Sequence, residues 1–185
     1  MSQNLRNYTK AIYALDAVVN RMPQAAWDNQ SPCADWSARE VLGHTIWGMN
    51  RLASVAQGGG VPAEQAEAEV AGAQPWATWA EARNNVLQAL DQRGSLQREI
   101  DGPFGPSTVD GALGIFFADP LTHAWDVAQA GGIQAALPED IASLAASNIA
   151  AAGDAVRSPG LFDAAQQAAS DSVVDQLIAI TGRQA

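Results

Sequence analysis

Cysteine is almost missing: the 185 residues contain one, Cys33. An internal disulfide framework and a cysteine-cluster metal site are excluded with it. Basic residues are scarce as well, ten against twenty acidic ones, for a net charge of -10. A nucleic-acid duplex or an anionic lipid surface would repel such a chain, so neither is expected as a partner. No stretch approaches the ~18 uninterrupted apolar residues of a spanning helix, and the first ten residues lack the apolar core of a secretion signal. A cytoplasmic location is the expectation. Runs of valine, isoleucine and threonine are also lacking, which leaves little from which to build strands. What remains is 48% hydrophobic and 16% charged. That suffices for a packed core in one domain, residues 1–185.

Alanine supplies about a fifth of the chain, and no residue favours the helix more. Leu5, Tyr8, Ile12, Leu15, Val19 and Met22 recur at helical spacing and predict an amphipathic helix over 3–21, ended by Met22-Pro23. Ser37-Ala38-Arg39-Glu40 fits a capping box, starting a second helix that runs to 56 before Gly58-Gly59-Gly60 breaks it. Its inward stripe would be Val41, His44, Gly48, Leu52 and Val55, with His44 in the middle. Residues 58–74 read as a mobile loop with room for one helical turn. A third helix is expected over 75–93, stopped by Gly94, then a hairpin or extended turn over 96–107. A fourth helix follows over 108–130, a fifth over 138–156 with Pro138 in its first turn, and a short last one over 171–180. The six tryptophans are expected to seal the ends and core. Four main helices with short connections imply an all-α, antiparallel four-helix bundle.

The only two histidines fall on inward stripes. Phe116, Asp119, His123 and Val127 share one helix face, because residues three and four apart are neighbours there. If that stripe faces the one carrying His44, then His44, Asp119 and His123 converge. Two imidazoles and a carboxylate form the three-ligand set of an open divalent-metal site, and without thiolate they suit Zn(II), Ni(II), Fe(II) or Mn(II). Plainer roles stay open. Either histidine can be a satisfied core residue, and Asp119 can cap the amides of Leu121 or Thr122 if Pro120 opens a new helix. Asp126 either orients His123 or faces solvent. Cys33 is either a thiolate favoured by the dipole of the second helix or a small buried residue in a tight linker. Arg183 either reaches an anionic ligand or caps the last helix. Gly58-Gly59-Gly60 has no following Lys-Ser or Lys-Thr, so a phosphate loop is not supported.

Three stretches carry a family resemblance. They are Ser31-Pro32-Cys33-Ala34-Asp35-Trp36 continuing through Arg39-Glu40 to His44, Phe104-Gly105-Pro106 continuing to Asp119-x-x-x-His123-x-Trp125-Asp126, and Leu177 to Arg183. In these the chain resembles the mycothiol-dependent maleylpyruvate isomerase family, part of the DinB-like superfamily of metal-binding four-helix bundles. The resemblance implies a DinB-like domain with extra C-terminal helices. It also implies a divalent metal, usually zinc, held by His44, Asp119 and His123 with one position open. A low-molecular-weight thiol of the mycothiol type is the implied cosubstrate, and the implied activity is thiol transfer or isomerisation on a small electrophile. A metal-bound thiol ionises at neutral pH, so no protein nucleophile is required. With water in the open position the same site would be a hydrolase; without turnover it would be a metal or small-ligand binder. The isomerase itself has Glu where this chain has Asp119, which places the chain in a sister group, and the chain is too short for the isomerase's additional C-terminal domain. The expected partner is a small-molecule substrate, and a homodimer stays open.

Overall fold

The computed structural model describes residues 1–33, 35–102, 105–157 and 161–184. Ala34 and Phe104 of the stretches above, and Pro103 of the expected hairpin, lie outside the described residues. Eight α-helices and one two-stranded hairpin are seen among the described residues. They are α1 (Gln3–Val19), α2 (Ala38–Ala56), α3 (Glu67–Ala71), α4 (Pro75–Asp91), β1 (Glu99–Gly102), β2 (Gly105–Thr108), α5 (Val109–Phe116), α6 (Ala118–Ala130), α7 (Glu139–Ala152) and α8 (Val173–Ile180).

Four of these helices close a ring: α1 packs on α6 and α4, and α2 packs on α4 and α6. Ile12 and Leu15 of α1, Leu42, Ile46 and Met49 of α2, Trp79 and Leu90 of α4 and Leu121 of α6 fill its centre with essentially no exposure. Each such side chain contributes roughly 1.5–3 kcal/mol through burial. The described residues thus form the all-α bundle with a short hairpin that the sequence predicts. The hairpin pairs Glu99 with Thr108 and Gly102 with Gly105 in antiparallel register. No helix is long and apolar enough to cross a membrane among the described residues.

The capping box at the start of α2 is complete. Ser37 N–H donates to Glu40 Oε2 at 2.8 Å, and Glu40 N–H to Ser37 Oγ at 3.4 Å. The buried face of α2 differs from the predicted stripe. Ala38, Val41, Leu42, Thr45, Ile46, Met49, Leu52 and Ala53 are buried, whereas His44, Gly48 and Val55 stand at its margin. Helix α2 packs on α3, α4 and α6, and His44 is only partly buried where it approaches α6. The segment over 58–74 contains α3, held tightly against α2. A Cβ on Gly43 would lie 1.8 Å from the Glu67 carbonyl oxygen.

The predicted fourth helix is two helices. Pro120 has no N–H to give to the carbonyl of residue 116, so the helical ladder is interrupted at Phe117 between α5 and α6. Asp119 caps neither Leu121 nor Thr122; α6 has no side-chain cap. Pro138 is the N-cap of α7 rather than part of its first turn. Of the tryptophans, Trp27, Trp79 and Trp125 are buried as expected, but Trp76 is 49% exposed and Trp36 turns toward the histidines.

Candidate metal centre

Helix α6 is buried nearly all round; of its first eleven residues only Asp119 escapes full burial. One turn apart on it, Asp119 and His123 project toward α2. His123 Nε2 lies 3.4 Å from Asp119 Oδ1, and His44 Nε2 of α2 approaches the same oxygen at 3.5 Å. Potential ligand atoms of all three lie within 4.8 Å of one another. Two donors on one tetrahedral ion, each at about 2.0–2.1 Å, stand about 3.3 Å apart. The donor chemistry suits a divalent cation, and the two separations from Asp119 Oδ1 match that spacing. His123 is buried, while the side chains of His44 and Asp119 are 36% and 38% exposed. The set opens to solvent on one side.

A line of polar contacts stands behind His123. Its Nδ1 meets Asp126 Oδ2 at 2.8 Å. Asp126 is fully buried and also accepts from Arg183, at 3.2 Å from Nε and 2.9 Å from Nη2. Arg183 Nη1 donates to the Thr181 carbonyl at 2.9 Å. The arginine therefore does cap α8, as expected, but most of its fork is spent on Asp126. Asp126 faces His123 and not solvent. The signal for this pair was a carboxylate inside the apolar run of α6, because a buried charge requires a countercharge.

Burial alone would push the His123 imidazole down. The Asp119 charge and hydrogen bonds with Asp119 and Asp126 outweigh it and raise the pKa to about 9. Burial likewise opposes the charge on Asp119, but His123 and His44 hold that carboxyl far below the usual range. Asp126 is also lowered despite its burial, through His123 and Arg183. A histidine raised above its unfolded value of about 6.5 stabilises the fold at lower pH, and the benefit is lost as pH rises through the folded value. Metal-free protein is expected to lose on the order of 2–3 kcal/mol of stability between about pH 6.5 and 9. Denaturant midpoints at a series of pH values check this; a flat profile contradicts it. Cation binding should flatten the profile, because the ligand is the neutral ring.

The approach to the site is built by the segment before α2. Ser31 N–H donates to the Trp36 carbonyl at 3.0 Å, and its hydroxyl donates to the same oxygen at 2.6 Å while accepting from Cys33 N–H at 3.1 Å. This tight linker sets the Trp36 ring 4.8 Å from His44 and 6.4 Å from His123, centroid to centroid. Trp36 is a site residue that the sequence reading assigned to the core. Cys33 is half-buried in the same linker with Arg183 Nη2 at 3.8 Å. Burial, opposed by Arg183, pushes its thiol up to about 11, so it is a protonated thiol rather than the thiolate considered above. A groove of about 350 Å³ is walled by Gly48, Leu52, Phe116, Ile100 and Arg98 among others, and none of the triad side chains lines it. Gly48 is one turn beyond His44, and Phe116 stands three residues before Asp119.

The family model described as the mycothiol maleylpyruvate isomerase N-terminal domain matches residues 8–128. The chain belongs to this family. The matched region of the mycothiol maleylpyruvate isomerase N-terminal domain family runs from α1 into α6 and so includes His44, Asp119, His123 and Asp126. Arg183, α7 and α8 lie beyond it. No curated protein and no solved structure matches the chain.

Proposed function

We propose that the protein is a zinc-dependent transferase or isomerase that joins a low-molecular-weight thiol of the mycothiol type to a small electrophile. The observation that carries this reading is the convergence of His44, Asp119 and His123 around one partly solvent-exposed point. His44 Nε2, one Asp119 oxygen and His123 Nε2 would hold the ion. When bound, a divalent cation there lowers the pKa of a thiol or water presented to it. The protein's own residues set the conditions. Asp126 keeps the His123 proton on Nδ1 and leaves Nε2 free to ligate. The Trp36 ring gives the site an apolar wall on the α2 side. Gly48 lines the groove one turn beyond His44, and a Cβ there would meet no atom within 4 Å. The thiol part of the proposal rests on the family, whose model is named for a mycothiol enzyme.

The test is turnover of small electrophiles by zinc-loaded protein with and without mycothiol. Thiol-dependent consumption is expected, falling about a hundredfold or more in Asp119→Asn, which keeps the size of the side chain and removes its charge. Consumption without thiol would make the protein a hydrolase. Stoichiometric zinc with no turnover in any assay would make it a metal binder.

A further inference from the structure

Asp126 receives a two-point contact from Arg183, a residue 57 positions downstream and beyond the region the family model matches. The same Asp126 oxygen that takes Arg183 Nη2 takes His123 Nδ1. A carboxylate held only by an imidazole can turn about its χ2 bond. One gripped by a planar fork through both oxygens cannot, because the fork fixes the plane and direction of the group. The fork is itself anchored: its third nitrogen bonds the Thr181 carbonyl at the end of α8, where Thr181 is fully buried. Gly182 makes the turn at φ +89° that sends Arg183 back toward α6.

We infer that Arg183 is a positioning residue of the triad: by fixing Asp126 it turns the His123 ring so that Nε2 faces Asp119 and His44. This rests on the reading of the triad as a metal centre for its importance, though not for its geometry. The tail after α8 is thereby part of the site, although the ligands all stand on α2 and α6. Groups that orient a metal-bound histidine are typically worth about 10–100-fold in metal affinity.

Two readouts on the full chain test it. The first is zinc affinity by competition with a chromophoric chelator. Arg183→Gln is expected to weaken binding about tenfold, Asp126→Asn by about 10–100-fold, and the double variant no further than Asp126→Asn, because both changes act through one contact. Arg183→Lys, which keeps the charge and loses the fork, should fall between wild type and Arg183→Gln. The second readout needs no metal. The His123 Nδ1 proton should give a downfield, slowly exchanging NMR signal in wild type that is lost in Asp126→Asn and broadened in Arg183→Gln. Unchanged affinity and an unchanged signal in Arg183→Gln would overturn the inference. So would losses that multiply in the double variant, which would assign Arg183 a separate structural role. Absence of zinc binding in wild type, with the proton signal behaving as described, would instead sink the metal reading and leave the positioning role standing. Circular dichroism of Arg183→Lys shows whether the tail still folds.

Discussion

Replacing His44 with alanine is expected to weaken zinc binding by about a hundredfold or more while leaving the bundle nearly as stable as before. The two outcomes separate because of where the side chain stands. It is a ligand candidate, 3.5 Å from Asp119, yet it sits at the margin of the buried face of α2 with 36% of its side chain exposed. Removing it opens no core cavity and orphans no buried charge, so the change in stability should stay under about 1 kcal/mol. The comparison with His123→Ala sharpens the result. That side chain is buried and bonded to Asp126, so its loss should abolish binding as well and also cost about 2–3 kcal/mol. Metal content after dialysis and denaturant midpoints of both variants provide the check. Full zinc retention in His44→Ala would show that α2 contributes no ligand.

Glycine 43 supports the second large effect. A Cβ built there would stand 1.8 Å from the Glu67 carbonyl oxygen and 2.6 Å from its carbonyl carbon. Both atoms are backbone, so no rotamer change relieves the contact. Either α2 and α3 move apart or α3 detaches. Alanine is intrinsically better in a helix by about 1 kcal/mol, which offsets part of the strain. The net result expected for Gly43→Ala is a loss of about 3 kcal/mol, or about 6–12 °C in melting temperature for a chain of this size. If α3 detaches instead, limited proteolysis within residues 58–74 should accelerate. A variant with wild-type midpoint and wild-type proteolysis would mean that the close approach does not exist in solution.

The sequence carried the elements of the site better than their depth. The four-residue spacing of Asp119 and His123 on α6 is a helical regularity and needs no tertiary knowledge. That both histidines converge was legible only as a condition, because it required the stripes of α2 and α6 to face each other and helical period does not decide that. The position of His44 at the edge of its stripe was not legible, because the buried arc of a helix depends on which neighbours it acquires. Here α2 packs on α3, α4 and α6, and Leu42, Ile46 and Met49 are its fully buried large side chains. The pairing of Arg183 with Asp126 was hidden for a different reason. It spans 57 residues, and periodicity carries no information at that range. The break between α5 and α6 was half legible: Pro120 announced it, yet the same proline made a capping role for Asp119 look available.

That break has a consequence for how the molecule can diversify. The groove takes Phe116 from α5 and Arg98 and Ile100 from the hairpin side, whereas Asp119 and His123 belong to α6. The missing amide at Pro120 uncouples the two halves by one rung of the ladder. Substitutions on α5 or the hairpin can therefore reshape the groove wall while the one-turn spacing of Asp119 and His123 on α6 stays as it is. Changes to the groove wall and retention of the triad would then fall on different stretches of chain, joined at a single break in the helix.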